Sequence, residues 1–434
     1  MEYLKIMSIN QIEITPACNS TYKKLAVQWL NEALCFVSSL VMVDNFSLRN
    51  RQLLVAVKRY LQGSQERLND NKLLKMRQRI IGFDLARAYA IFGMFIVNFN
   101  FSFGSIMSPT DNVGHFLNIF TGNSTAIFMI CAGMGVSLMT NRNNYSKEEK
   151  ATLKSKILKR SWFLFAMGLL LYNWWSGDIL HFYGGYMHLA AFLLFVPKRY
   201  YLLGALLAII IFHFLLFVIP IDTSWDFSTF KYKDFWTSIG FLRNTFYNGW
   251  NSIFPWISYF LIGMWLGRLN WQDKLIKRNI FLIGLVVFIT IQALRLMVRQ
   301  HFFNPFWSDY IMAEYFPPYL PFVLVTIAFA FMVIPICMVI GDKFPNNKFI
   351  LALQKTGQMT LSHYVIHLTL GMVLMAFLTG KHYTGLLEDE KPTSSIYILT
   401  YSIIFYIFSI LFSIFWSRKF KNGPLETLMR KISG

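Results

Sequence analysis

Long apolar runs follow one another along the chain from residue 84 onward. A helix needs about 20 mostly apolar residues to cross the hydrocarbon core of a bilayer. The runs predict ten spans, at 85–107, 116–139, 161–175, 182–197, 201–220, 252–270, 279–299, 319–341, 356–379 and 394–417. We therefore expect an all-α fold, a polytopic transmembrane helical bundle of about ten spans.

Two of these spans, 161–175 and 182–197, are short and flank the polar segment GDILHFYGG at 177–185. This segment either lies near one membrane surface or forms irregular backbone buried in protein, because lipid cannot satisfy free backbone groups. The glycines of AGMGV at 133 and 135 indicate close helix packing. Aromatic residues in KDFWTSIGFLRNTFYNGWNSIFPW and HFFNPFWSDYIMAEYFPPY predict interfacial belts, or in part the lining of a substrate entrance.

Charge supports a membrane protein and predicts its orientation. The 434 residues are 55% hydrophobic and 15% charged, with a net charge of +19, whereas soluble proteins average about 25% charged residues. One set of alternate loops carries twenty Lys and Arg and the other five, so the first set is predicted to be cytoplasmic. The protein is then expected in the inner cell membrane, with both ends of the membrane domain on the cytoplasmic side. Charge scattered in this way argues against nucleic acid as a partner.

Residues 1–75 differ from the rest of the chain. Their longest apolar run, LCFVSSLVMV, has ten residues and is too short to span. The sequence around it predicts a basic helical extension lying on the cytoplasmic leaflet. The alternative is a mis-annotated upstream start, because Met76 begins a plausible membrane domain over 76–434. No secretory signal is visible.

Polar residues inside the first span suggest function. Asp84 and Arg87 are three residues apart and share a helix face, which Asn98 continues three turns later. Ionisable groups in a span are costly, which makes each one a functional hypothesis. The structural alternative is an ion pair that only orients the helix.

Histidines and one aspartate mark the predicted outer side. His115 precedes the second span, and Asp178 and His181 lie in GDILHFYGG. A carboxylate and an imidazole on one accessible face are the minimum for general acid and base catalysis, although a single membrane histidine is more often a packed hydrogen-bonding residue. We expect His115, Asp178 and His181 to share one outer-side cavity.

No metal site is expected. His363 and His367 have the i, i+4 spacing of metal ligands, but no third ligand accompanies them in the helix. The four cysteines fall singly, which argues against disulfides and zinc.

Five motifs, in order, resemble the membrane acyltransferase-like superfamily of heparan-alpha-glucosaminide N-acetyltransferase and the bacterial YeiB-like proteins of unknown function. They are RIIGFDLARAYAIFGMFIVNF, TGNSTAIFMICAGMGVSLM, GDILHFYGGY, GQMTLSHYVIHL and the tail FKNGPLETLMRKISG. The resemblance covers about 77–434. Ala88 stands where Gly is usual and Thr427 where Trp is usual, which weakens assignment to a subfamily.

The resemblance implies transfer of an acyl group, expected to be acetyl, from cytoplasmic acyl-CoA to an outer-side sugar or lipid acceptor. It implies His115 as the essential histidine. Our mechanistic hypothesis is direct or covalent acyl transfer in which His115 takes the acceptor's proton and Asp178 orients an imidazole. Arg87 would meet a donor phosphate, and His367 the donor's thioester or pantetheine arm. The remaining candidate donor-binding or substrate-binding residues are Asp84, Asn98 and Tyr183.

The expected partners are membrane lipid and a glycan or lipid-linked acceptor, and a homodimer is allowed for. Two other classes of protein stay open. The first is a small-solute or lipid transporter that uses the same polar residues as a path, although no internal repeat is evident. The second is a membrane scaffold without turnover.

Overall fold

A computed structural model describes residues 80–104, 111–141, 144–227, 229–301, 303–382 and 391–434. The predicted extension over residues 1–75, with two of the four cysteines, lies outside these ranges. The described chain is mostly helical, with one short hairpin and a π-helical turn at Asn244–Asn248. Its helices are α1 (Ile81–Phe103), α2 (Asn112–Asn118), α3 (Asn123–Leu138), α4 (Lys147–Tyr172), α5 (Leu180–Leu193), α6 (Arg199–Val218), α7 (Ser238–Arg243), α8 (Ile253–Leu266), α9 (Lys274–Arg299), α10 (Pro305–Met312), α11 (Leu320–Lys343), α12 (Lys348–Gln358), α13 (Thr360–Thr379), α14 (Ser395–Trp416) and α15 (Pro424–Ser433).

Helices occupy all ten predicted spans, so the all-α class is confirmed and the chain is a multi-pass membrane protein. Seven segments of the described chain are long and apolar enough to cross a bilayer: α1, α2 with α3, α6, α9, α11, α13 and α14. The other three predicted spans correspond to α4, α5 and α8. Helices α5 and α8 have 14 residues each, about 21 Å, which is shorter than the hydrocarbon core.

The predicted short span 161–175 is wrong at its start, because α4 begins at Lys147. Ser146 accepts a hydrogen bond from the Glu149 backbone, and the Glu149 carboxylate accepts one from the Ser146 backbone. This reciprocal capping box begins a helix inside the segment that we had assigned to a loop.

His115 also lies differently from the prediction, which placed it just before the second span. It belongs to the short helix α2, which Asp111 caps by accepting a hydrogen bond from Gly114. The chain then turns at Gly122, whose φ of +74° suits a residue without a Cβ, before α3 begins.

Several pairs of helices pack most closely at glycine residues. A Cβ on Gly133 of α3 would overlap the Phe260 carbonyl oxygen of α8, and one on Gly263 would overlap that of Ile130. A Cβ on Gly357, in the last turn of α12, would overlap the Asp84 carbonyl oxygen, and one on Gly168 of α4 would overlap the His181 backbone nitrogen. Small residues let helix backbones approach in lipid, so the expectation of close packing at AGMGV is confirmed.

The segment 221–250, between α6 and α8, is a small folded unit. Strands β1 (Trp225–Asp226) and β2 (Lys231–Tyr232) pair antiparallel, and Trp225, Tyr232 and Phe235 form its core. The prediction that the aromatic residues of this segment form an interfacial belt fits Trp236, which is 64% exposed. It is wrong for Phe235, which is buried. The rings of Phe235 and Tyr172 stack with centroids 3.7 Å apart, so this unit covers the end of α4.

Candidate functional site

The first polar cluster lies at the beginning of α1. Arg87 Nη1 donates to Asp84 Oδ1 at 3.2 Å, and Nη2 donates to the Cys131 carbonyl oxygen at 3.1 Å. Gln358 Nε2 donates to the other oxygen of Asp84 at 3.2 Å. Asp84 is buried, whereas the Arg87 side chain is 23% exposed. The pair expected from the sequence therefore exists, and it also ties α1 to α3 and α12.

The second polar contact lies eleven residues along α1, about 16 Å further. Asn98 Nδ2 lies 2.9 Å from His367 Nε2, and His367 Nδ1 lies 3.3 Å from the His363 carbonyl oxygen. With the Asn98 amide nitrogen facing the ring, Nε2 accepts and Nδ1 donates, which fixes one neutral tautomer. Both nitrogens of His367 are thus occupied.

The third cluster is centred on Asp178, in the turn between α4 and α5. Asp178 Oδ2 accepts from the Leu180 backbone at 2.8 Å and lies 3.4 Å from His181 Nδ1. Asp178 Oδ1 accepts from the Tyr364 hydroxyl at 3.1 Å, and that hydroxyl accepts from the Ile179 backbone at 3.1 Å. Asp178 and His181 are completely buried. Within GDILHFYGG only residues 177–179 are irregular, because α5 begins at Leu180, and whether the segment lies near a membrane surface stays a prediction.

His181 has an unused nitrogen. A carboxylate oxygen accepts, so Nδ1 is the nitrogen that donates toward Asp178, and Nε2 is the nitrogen without a partner among the described residues. Three buried polar atoms in this region have no hydrogen-bond partner among the described residues: His181 Nε2, the Tyr172 hydroxyl and Trp175 Nε1. The Tyr172 and His181 rings are 5.5 Å apart. Unpaired buried polar atoms are costly, so these positions are suited to a substrate hydroxyl or amine.

Tyr364 connects the second and third clusters. Its hydroxyl bonds Asp178, and its ring packs against the His367 ring with centroids 5.2 Å apart. Trp174 Nε1 also donates to the Leu368 carbonyl oxygen at 2.9 Å, so the turn before α5 is fixed to α13. The pair Asp178 and His181, predicted together, is thereby brought into one region with His367 and the half-buried Asn98, which were predicted apart from it. Sequence reasoning missed Tyr364, although it stands between the two histidines of GQMTLSHYVIHL.

The structure does not place the other predicted residues in this region. His115 is exposed on α2, and the contacts described for Asp178 and His181 do not include it. Tyr183 is buried with its ring 5.6 Å from Phe128 and 5.9 Å from Phe260. The cavity shared with His115 stays a prediction.

His363 has a packing role, because its Nε2 lies 2.7 Å from the Ser413 hydroxyl of α14. Over the residues that the structure describes, no three His, Cys, Asp or Glu side chains converge as metal ligands would.

Two family models match the chain. The model described as heparan-alpha-glucosaminide N-acetyltransferase, catalytic, matches residues 79–283, and the model described as protein of unknown function (DUF418) matches residues 263–434. Between them they span every described helix. The chain belongs to the membrane acyltransferase-like superfamily that contains heparan-alpha-glucosaminide N-acetyltransferase and the YeiB-like proteins. A search of curated proteins finds no match.

The two matched regions of this superfamily member divide the site between them. The acetyltransferase region contains Asp84, Arg87, Asn98, His115, Asp178, His181 and Tyr183. The DUF418 region contributes α13 with Tyr364 and His367, and the tail helix α15. The Asp178 to Tyr364 hydrogen bond therefore joins the two regions.

Proposed function

We propose that the protein is a membrane acyltransferase. It moves an acyl group, expected to be acetyl, from cytoplasmic acyl-CoA to an amine or hydroxyl of a sugar or lipid-linked acceptor on the outer side. The observation that carries this proposal is the oriented His181 imidazole, with Asp178 at Nδ1 and a free Nε2, inside the region that resembles an acetyltransferase catalytic domain.

The donor would bind at the first cluster. Arg87 is the partly exposed cation there, and a phosphate of acyl-CoA would accept from its guanidinium. Because Asp84 and the Cys131 carbonyl already accept from Arg87, the phosphate would share or replace these contacts. His367 could meet the thioester only if Asn98 releases its Nε2.

Proton transfer completes the reaction. The acceptor oxygen or nitrogen attacks the thioester carbonyl, the carbon–sulfur bond breaks, and a histidine passes the acceptor's proton to the departing CoA thiolate. The resemblance implies His115 for this role, and the hydrogen bonding of His181 suits it as well. Phe182 and Phe235 pack close to the His181 ring, so an acceptor reaches Nε2 only when side chains move.

The test is acyl transfer by the purified protein with radiolabelled acetyl-CoA and a panel of amino sugars and lipid-linked acceptors. A catalytic base contributes about 10²–10⁴-fold to the rate. We expect His115→Ala to abolish transfer in a folded protein, and His181→Ala to slow it by at least 100-fold. The matched control is His188→Ala, because His188 lies on the same helix as His181 but bonds Ser161.

Each outcome has a defined meaning. Unchanged transfer in His115→Ala or His181→Ala removes that residue from the catalytic role. Loss of transfer in His188→Ala as well would indicate damage to α5. Absence of acyl-CoA binding by the unmodified protein would overturn the proposal in favour of the transporter.

A further inference from the structure

The tail helix α15 contacts the helix that carries Tyr364 and His367. Glu426 of α15 is buried, and its carboxylate lies at the beginning of α13. Oε1 accepts from the backbone nitrogens of Leu361 at 2.8 Å and Ser362 at 3.2 Å, and Oε2 accepts from the Ser362 hydroxyl at 2.5 Å. These backbone donors belong to a first helical turn, which has no intrahelical acceptors. Glu426 therefore caps α13 from a distant part of the chain.

The local sequence suits this contact. A Cβ on Gly423 would overlap Glu426 Oε2, so a residue without a side chain lets the carboxylate reach Ser362. The Leu425 backbone donates to the Ser362 hydroxyl at 3.1 Å. Proline is favourable at the first position of a helix, and Pro424 begins α15.

The other end of α15 is fixed to α4. Arg160 Nε of α4 donates to the Ser433 hydroxyl at 3.3 Å. Helix α4 carries Tyr172 near its end, and its Gly168 packs on the His181 backbone. The tail thus joins α4 and α13, the two helices that place Tyr172 and Tyr364 beside the Asp178 and His181 pair.

Glu426 contacts α13 directly before the polar residues that this helix carries. Its hydrogen-bonded partners Leu361 and Ser362 are followed directly by His363 and Tyr364. The residue before α13, Met359, has non-helical backbone angles, so α12 and α13 are separate helices with their own ends. A change at Glu426 would therefore move the start of α13 and, with it, the Tyr364 hydroxyl.

Burying the Glu426 carboxylate has an energetic cost. Burial raises the pKa of Glu426, although the hydrogen bonds from Ser362 and the backbone oppose the rise. Its surroundings therefore disfavour the charged form relative to water. Buried charged groups are weak evidence for stability and are in some proteins retained for a specific arrangement.

We propose that Glu426 is a positioning residue of the acyl-transfer site: by capping the start of α13 it holds the Tyr364 hydroxyl against Asp178. The expected effect on the rate of acyl transfer rests on the proposed function. The effect of Glu426 on the position of Tyr364 does not depend on that function.

The kinetic test compares Glu426→Ala with Glu426→Gln. Glutamine keeps an acceptor oxygen for the Leu361 and Ser362 backbone, so it should retain at least about a third of the rate. Alanine keeps none, and we expect kcat to fall by about 10- to 100-fold, as misplacement by about 1 Å can produce, with KM for acetyl-CoA nearly unchanged. The matched control is Glu149→Ala, which removes the capping carboxylate of α4.

The structural test measures hydrogen exchange in the full chain. In Glu426→Ala we expect faster exchange over residues 359–371, with α3 and α8 unchanged, and no such effect in Glu149→Ala. Unchanged exchange over 359–371 overturns the proposal, as does a rate equal to that of the unmodified protein, or a Gln variant as slow as Ala. If the unmodified protein transfers no acyl group, the proposed function fails and hydrogen exchange alone decides the positioning.

Discussion

Three buried histidines differ in how many ring nitrogens are already bonded. His367 uses both nitrogens, with Asn98 and the His363 carbonyl, and His363 bonds Ser413 across to α14. His181 alone among the three combines a carboxylate at Nδ1 with an Nε2 that has no partner among the described residues. Proton transfer needs a free nitrogen, so His181 is the buried imidazole best prepared for it.

Tyr364→Phe tests whether the Tyr364 hydroxyl supports Asp178. Without it, Asp178 Oδ1 and the Ile179 nitrogen lose their partner, which should cost about 1–3 kcal/mol of stability. We expect a lower melting temperature in detergent together with slower acyl transfer. Tyr406→Phe is the control, because it removes a single hydrogen bond to the Ala88 carbonyl. Equal melting temperatures for Tyr364→Phe and the unmodified protein would contradict the prediction.

Arg87→Ala distinguishes a donor-binding residue from an orienting one. If Arg87 meets a phosphate of acyl-CoA, the Kd for acyl-CoA should rise by about tenfold or more, equivalent to at least about 1.4 kcal/mol. Equilibrium binding of radiolabelled acetyl-CoA measures this. Lys150→Ala serves as a control for general loss of positive charge. An unchanged Kd with a lower melting temperature would assign Arg87 to orientation of α1.

The sequence predicts polar pairs that are close along the chain better than those that are distant. Asp84 with Arg87, and Asp178 with His181, are each three residues apart and share a turn of backbone, so spacing alone brought them together. The Tyr364 to Asp178 hydrogen bond spans 186 residues. Helix periodicity carries no information on which helices become neighbours, and this is why Tyr364 and Glu426 were missed.

At the scale of an element, Arg243 holds the 221–250 unit together. It donates to the Tyr232 hydroxyl at 2.8 Å, to the Ser224 hydroxyl and to Asp234 Oδ2 at 2.6 Å. Arg243→Ala should destabilise this unit by about 2–4 kcal/mol, since it leaves charged and polar partners unpaired. Limited proteolysis within 221–250 measures the effect. Lys233→Ala should change the stability of the unit little, because Lys233 and Asp226 form an exposed ion pair at 3.9 Å. Equal protease resistance of Arg243→Ala and the unmodified protein would contradict this role.

The same unit should be sensitive to acid. Desolvation raises the pKa of Asp234, but hydrogen bonds from Arg243 and Ser224 together bring it below its ordinary value. A carboxylate with a lowered pKa contributes stability above the unfolded pKa of about 4, and this contribution is lost as pH falls through the folded value. Asp234→Asn should therefore remove part of the acid dependence of cleavage in 221–250. The same acid dependence in Asp234→Asn and the unmodified protein would exclude Asp234 as its source.

Element boundaries depend on local chemistry that hydropathy does not register. The charged residues before 161 predict a loop where the first half of α4 lies, although the capping box of Ser146 and Glu149 marks the start of a helix. The hairpin at β1 and β2 was missed because each strand has only two residues, too few for an alternating pattern to be recognised.

At the scale of the whole molecule, the all-α membrane fold could be predicted because lipid demands long apolar helices, and seven segments of the described chain are long and apolar enough to cross a bilayer. The orientation depends on the loop charges, twenty against five, and the proposed direction of acyl transfer depends in turn on that orientation. The predicted orientation would place Arg87 near the cytoplasmic end of α1, where acyl-CoA arrives, and the 221–250 unit on the acceptor side.

Cysteine labelling tests this orientation. With Cys18 and Cys35 replaced by Ser, the remaining Cys131 and Cys337 are buried, so an added cysteine reports its own side. Ala151, in the first turns of α4, and Thr229, in the 221–250 unit, are exposed and lie on opposite predicted sides. We expect a membrane-impermeant maleimide to label Thr229→Cys in intact cells, and Ala151→Cys only after the cells are opened. The reverse pattern would place both ends of the membrane domain outside. It would also put Arg87 on the side without CoA, so the proposed direction of transfer would be lost together with the topology.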